Sequence, residues 1–168
     1  MKKGFTLIEF LIYLALLSVV VVSLFYWSIS LVEVRDRGRA RSEVLASGRV
    51  TSAFIKREIE QAEWVISPVP NATADSLSVA GSEFGSQSEF HLSDEELLFS
   101  VDGGLPETLI SKSLVVSGLE FRNLTPPLAS RDSIVWQFSV RYPLASVEGQ
   151  FYEKIFSGTA SVRLKPND

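Results

Sequence analysis

The pattern of apolar and polar positions divides the chain into three stretches. From Phe5 to Val32 the only charged residue is Glu9, and a helix of that length rises about 42 Å, more than the ~30 Å hydrocarbon core of a bilayer. Residues 5–32 are therefore predicted to form a helix able to span a membrane. No proline occurs before Pro68, so the helix is expected to continue over 33–66, with Gly38 and Gly48 each costing about 1 kcal/mol relative to alanine. At about 100° per residue, Val44, Thr51, Phe54, Ile55, Ile59, Ala62, Val65 and Ile66 share one face, and Arg49, Lys56, Arg57 and Glu60 take the other. Such a stripe predicts packing against a folded core.

Beyond Pro68-Val69-Pro70 the period shortens, and brief apolar alternations are separated by Gly, Ser, Asp and Asn. Residues 67–168 are predicted to form a β-rich head with strands over 76–80, 89–92, 96–101, 114–116, 119–124, 133–142 and 154–164. Asp102-Gly103-Gly104 has the composition of a hairpin turn. Over 133–140 the pattern puts Ile134, Trp136 and Phe138 on one face and leaves Val135 and Val140 without a consistent side. The fold class expected is α+β: a long N-terminal helix, its first half transmembrane and its second half packed on a mostly antiparallel β head.

The 168 residues allow one compact domain plus an extended element. A net charge of −4 without a large block of one sign argues against direct nucleic-acid binding, which needs a basic surface. Cysteine is absent, which removes disulfides, thiolate catalysis and cysteine-based zinc sites. His91 is the only histidine, in a Phe90-His91-Leu92 context that reads as an ordinary strand position. Asp94, Glu95 and Glu96 are clustered but lack the alternating oxygen spacing of a calcium loop, so they are expected to form a solvated turn. No phosphate-binding loop, dinucleotide fingerprint or zinc-protease helix motif occurs. Asn71-Ala72-Thr73 and Asn123-Leu124-Thr125 match the glycosylation sequon, a pattern short enough to recur by chance, so no role is assigned to it. Trp27, Trp64 and Trp136 are expected to serve as core or bilayer-interface anchors. No catalytic residue, metal or cofactor is assigned.

Met1-Lys2-Lys3-Gly4 is a short positive prefix, yet no small-residue cleavage site of the ordinary secretory kind follows the apolar stretch. The string Lys3-Gly4-Phe5-Thr6-Leu7-Ile8-Glu9 resembles the prepilin motif of the type IV pilin and type II secretion pseudopilin superfamily. That resemblance implies a leader over residues 1–4, cut after Gly4 on the cytoplasmic side by a prepilin peptidase and methyltransferase, and an N-methylated Phe5. It also implies that Glu9 docks subunits by pairing with the amino group of Phe5 from a neighbour. A carboxylate in an apolar helix costs several kcal/mol unless it is paired or lies near headgroups. The bland alternative is a Glu9 that sits in the interfacial zone and meets water.

Arg57-Glu58-Ile59-Glu60-Gln61-Ala62, Ser117-Gly118-Leu119-Glu120-Phe121 and the closing Ser157-Gly158-Thr159-Ala160-Ser161-Val162-Arg163 resemble J-type minor pseudopilins and their pilus counterparts. The absence of cysteine and of a C-terminal calcium loop favours a minor subunit. The implied function is non-enzymatic: priming or capping a pilus or pseudopilus, with other minor and major subunits, an inner-membrane assembly platform and membrane lipid as partners. Arg35, Arg37, Arg39 and Arg41 follow the span while only Lys2 and Lys3 precede it, so a positive-inside count opposes an N-terminus facing the cytoplasm. The motif's cytoplasmic processing favours that orientation, with the head extracytoplasmic and the chain in the cytoplasmic membrane. The alternative function is a single-pass membrane-anchored extracytoplasmic binding domain.

Overall fold

A computed structural model describes residues 7–81, 86–126, 131–144 and 150–162. The first element is a single helix, α1 (Leu7–Gln61), of 55 residues and therefore about 82 Å long. It stops five residues short of the expected end at Ile66. The amide of Ala62 is shared between the carbonyls of Glu58 and Ile59 at 3.1 and 3.3 Å. The chain then extends into β1 (Trp64–Ser67), whose branched and aromatic residues suit a strand. Val65 and Ile66 fell on the helical stripe by sequence, but a short apolar run is ambiguous between the two periods. Tertiary pairing decides it: Glu63 donates to the Ala80 carbonyl at 2.8 Å, Val65 donates to Asp132 Oδ2 at 3.2 Å, and β1 pairs antiparallel with the strand at 77–80.

The other strands are β2 (Thr73–Ala74), β3 (Leu77–Ala80), β4 (Gln87–Ser93), β5 (Glu96–Val101), β6 (Glu107–Thr108), β7 (Val115–Asn123), β8 (Ser133–Pro143) and β9 (Phe151–Ser161). They form two antiparallel sheets, ordered β1-β3-β4-β5-β6 and β2-β7-β8-β9. Asp94 and Glu95, both at positive φ, make the tight turn between β4 and β5, which is the solvated turn expected there. The expected turn at Asp102-Gly103-Gly104 also forms, with both Asp102 and Gly103 at positive φ and Gly104 donating to the Val101 carbonyl at 2.9 Å. Two strands expected at 114–116 and 119–124 are one strand, β7. Its register shifts between Ser117 and Glu120, where Gly118 adopts a φ of 62° and admits a bulge that leaves the strand continuous. On β8, Ile134, Trp136, Phe138 and Val140 are all buried, so Val140 joins the inward face. The last strand begins earlier than expected, at Phe151, and the expected end at Leu164 lies outside the described residues.

The helix and both sheets share one core. Phe54 of α1 meets Phe99 and Phe90 at ring-centroid distances of 5.0 and 6.0 Å, and Phe90 meets Phe121 of the other sheet at 6.4 Å. The buried residues of α1 are Ala40, Val44, Gly48, Thr51, Ile55 and Ile59, a stripe at steps of three and four that keeps one face on the head. Two glycines make room for rings, Gly48 where the helix meets β9 and Gly158 where β9 pairs with β8. A Cβ on Gly48 would lie 2.2 Å from the Phe156 ring, and one on Gly158 would lie 2.3 Å from the Trp136 ring. Phe156 stacks on Phe138 at 5.6 Å, and Trp136 Nε1 donates to Ser52 Oγ at 3.2 Å. The helix is thus fixed to the sheet by a ring lying on a glycine, next to an indole bonded to a helical serine.

A polar clamp closes the other end of the head. Asn123, 1% exposed, donates through Nδ2 to the Pro68 carbonyl at 2.9 Å. Its Oδ1 accepts from the Thr125 amide at 3.0 Å and from the Thr125 hydroxyl. Its backbone exchanges bonds with Asn71 and Ala72 at 3.0 Å each. This ties the segment between β1 and β2 to the end of β7, and it gives the Asn123-Leu124-Thr125 string an interior role.

Two expectations follow. Gly48→Ala should lower the stability of the head by about 1–3 kcal/mol, because the Phe156 ring must shift in a packed site, whereas Gly38→Ala, with nothing within 4 Å of its Cβ position, should leave it unchanged or raise it by up to ~1 kcal/mol. Denaturant unfolding of the full chain in detergent, followed by near-UV circular dichroism, distinguishes the two. Asn123→Ala leaves the Pro68 carbonyl and Thr125 without their buried partner and should cost about 2–3 kcal/mol, read as a fall in the midpoint of the same transition.

Candidate functional site: the projecting half of the helix

Everything α1 buries against the head lies at or beyond Ala40. From Leu7 to Val32 every residue is exposed, and this stretch holds an 18-residue window of mean hydropathy 2.6, none of it buried. A helix of one sequence thus has two environments: its second half lies on the head, and its first half carries Leu, Ile, Val, Phe, Tyr and Trp side chains with nothing of the described chain over them. A contiguous apolar surface of this extent needs lipid or partner helices around it. Its polar groups fit an apolar surrounding. The hydroxyls of Ser18, Ser23 and Ser28 donate back to the carbonyls of Ala15, Val19 and Leu24 at 2.7, 2.8 and 2.9 Å, so each finds its partner within the helix and none needs water. Sequence reasoning weighed Ser28 only as part of an unconvincing cleavage site and did not single out Ser18 or Ser23.

Glu9 is exposed and is the third described residue of α1. Thirty-one residues of helix separate it from Ala40, about 46 Å at the α-helical rise, so no residue of the head can reach it. Gly4 and Phe5, the expected cleavage pair, lie outside the described residues. The structure therefore brings Glu9 to the far end of the projecting apolar rod.

The remaining candidates divide by burial. Trp136 is a core residue, one of the two roles expected, and Trp27 is exposed on the span. Trp64 does neither: it is about half exposed at the start of β1. His91 pairs with Leu98 across β4 and β5, and its Nδ1 is buried without a hydrogen-bond partner. Among the described residues no group of three or more His, Asp or Glu converges in a way that could hold a metal. A groove of about 460 Å³ between α1 and β9 is lined by Arg49, Ser52, Lys56, Trp136 and Gly158 among others, and these residues include no nucleophile paired with a general base.

The family model described as the prokaryotic N-terminal methylation motif matches residues 1–25, which span the string from Lys3 to Glu9 and most of the apolar stretch. Searches of curated proteins and of solved structures each returned no match. The motif, read together with the single long helix that carries it and the antiparallel sheets on which that helix packs, supports a likeness to the type IV pilin and pseudopilin superfamily.

Proposed function

We propose that this chain is a minor pilin or pseudopilin, a non-enzymatic subunit that primes or caps the assembly of a type IV pilus or a type II secretion pseudopilus. The observation that carries the reading is the continuity of α1: one unbroken helix joins a buried stripe on the head to an exposed apolar rod with Glu9 as its third described residue. Such a rod suits a bilayer, and it also suits a surrounding of apolar helices from other subunits. Passing from one surrounding to the other leaves the head unchanged, since the rod shares no core with it.

In this reading the leader over residues 1–4 is removed after Gly4 by a prepilin peptidase, which methylates Phe5. Glu9 then pairs with the amino group of Phe5 on an adjacent subunit. The pairing would neutralise a carboxylate that is costly in an apolar medium and fix the axial step between subunits. Before assembly the chain sits in the cytoplasmic membrane, N-terminus inside and head outside the cytoplasm, and afterwards at a filament tip. The motif's match at residues 1–25 supports processing of this kind. The absence of cysteine rules out the disulfide that closes the C-terminal loop of many major pilins and favours a minor role. A single-pass membrane-anchored binding domain is the second reading, favoured by the groove between α1 and β9.

Glu9→Ala should abolish or strongly reduce incorporation into filaments, measured as the fraction of subunit in sheared or pelleted filaments against the membrane pool. The melting transition of the head should not move, because Glu9 is remote from it. Normal incorporation of Glu9→Ala would remove the docking role, and with it the main support for an assembly subunit over an anchored binding domain.

A further inference from the structure

Just past the apolar span, Arg35, Arg37, Arg39 and Arg41 are all exposed. The acids of the same region, Glu33, Asp36 and Glu43, are partly buried. At about 100° per residue these acids lie within about 60° of the direction of Ala40, the first helical residue covered by the head, whereas Arg35, Arg39 and Arg41 lie about 100–140° away and Arg37 at the margin. Glu43 is also engaged toward the head, where it accepts a hydrogen bond from Ser113 at 2.6 Å. Among the described residues only Arg39 of the four is in an ion pair, a 3.8 Å contact with Glu43 at 78% side-chain exposure, a geometry that holds little.

The four arginines form two like-charged pairs, Arg35 with Arg39 on one flank and Arg37 with Arg41 on the other, each spaced four residues apart. Such pairs repel across one helical turn, and an anion placed between two guanidiniums reverses the sign of that interaction. Axially, Arg35 lies about 4.5 Å and Arg41 about 13.5 Å beyond Val32, while the headgroup layer adds roughly 5–8 Å to each side of the hydrocarbon core. Helical side chains slant toward the N-terminus, which here is toward the span, and a long arginine reaches further in the same direction. With Val32 at the edge of the hydrocarbon, Arg35 and Arg37 lie within the headgroup layer of the leaflet nearest the head, and Arg39 and Arg41, up to about 6 Å beyond it, reach back toward it along the same flanks.

We propose that Arg35/Arg39 and Arg37/Arg41 are two clamps for the phosphates of anionic phospholipid headgroups, which set the depth of the subunit in the bilayer before assembly. The inference rests on the membrane-spanning reading of α1 and adds to it a lipid preference and the residues that impose it.

Trp27 supplies the probe. It is exposed on the span, about 12 Å from Arg35 along the axis, so bromine on lipid acyl chains quenches it, while Trp64 and Trp136 lie in the head beyond that reach. The full chain is reconstituted in phosphatidylcholine vesicles containing brominated phosphatidylglycerol, or the same fraction of brominated phosphatidylcholine. The wild-type chain should show about a three- to tenfold preference for the anionic lipid around Trp27, reduced in 0.5 M NaCl. The R35Q/R37Q/R39Q/R41Q variant should lose the preference with an unchanged near-UV spectrum of the head. Equal quenching by the two lipids in the wild type, or a preference that persists in the quadruple variant, overturns the clamps but leaves the span intact. Quenching by neither lipid overturns the span and the clamps together. If the wild type shows no preference and the quadruple variant fails only in filament incorporation, the arginines serve protein contacts and the proposal is wrong.

Discussion

The backbone of α1 is continuous while its surroundings are not, and the rest of the molecule follows from that mismatch. Up to Val32 the helix presents apolar side chains that the chain itself never covers; from Ala40 onward it contributes a stripe of small and branched residues to a shared core. No break at Gly38 separates the two regimes, and the described helix runs unbroken to Gln61. An unbroken helix transmits position rigidly, so the depth of the span in its apolar medium fixes where the head sits. The helix can serve both as an anchor and as a packing element because its two halves make their contacts independently.

The head secures its end of that rod by close fit at small residues and by one large ring from the helix. Gly48 under Phe156 lets α1 approach β9 closely, Gly158 leaves room for the Trp136 ring of the neighbouring strand, and the Trp136 to Ser52 hydrogen bond ties that ring to the helix. Phe54 carries the contact across to the second sheet through Phe90 and Phe99. The Asn123 clamp then ties the turn after β1 to the end of β7, so that the strand following the helix is held in the same body as the strands the helix packs on. These contacts give the head a stability of its own, which is why changes at Glu9 or in the arginine clamps are expected to leave it folded.

Much of this was legible in the sequence, and the reasons differ by feature. Glu9 could be found because one charge in an apolar run breaks the pattern, and the span could be found because its length exceeds any core helix of a domain this size. The stripe from Val44 to Ala62 was visible by period, but Gly48 and Ala40 were missed, since a small residue carries no hydropathy signal and its meaning depends on Phe156, more than a hundred positions away. The end of α1 was misplaced because Trp64-Val65-Ile66 satisfies both periods and only pairing with β3 selects the strand. The two-residue strands β2 and β6 have no local signature at all; they exist as edge partners of β7 and β5. The bulge at Gly118 was read as a gap between two strands, because a glycine at positive φ interrupts the alternation without interrupting the strand.

The central claim is that residues 1–4 are a leader and that the helix begins its mature life at Phe5. Intact-mass and N-terminal peptide mass spectrometry of the chain purified from cells that carry a prepilin peptidase tests this most directly. The account predicts a mature N-terminus at an N-methylated Phe5. An intact Met1, or a terminus near Ser30 at the far side of the span, would contradict it.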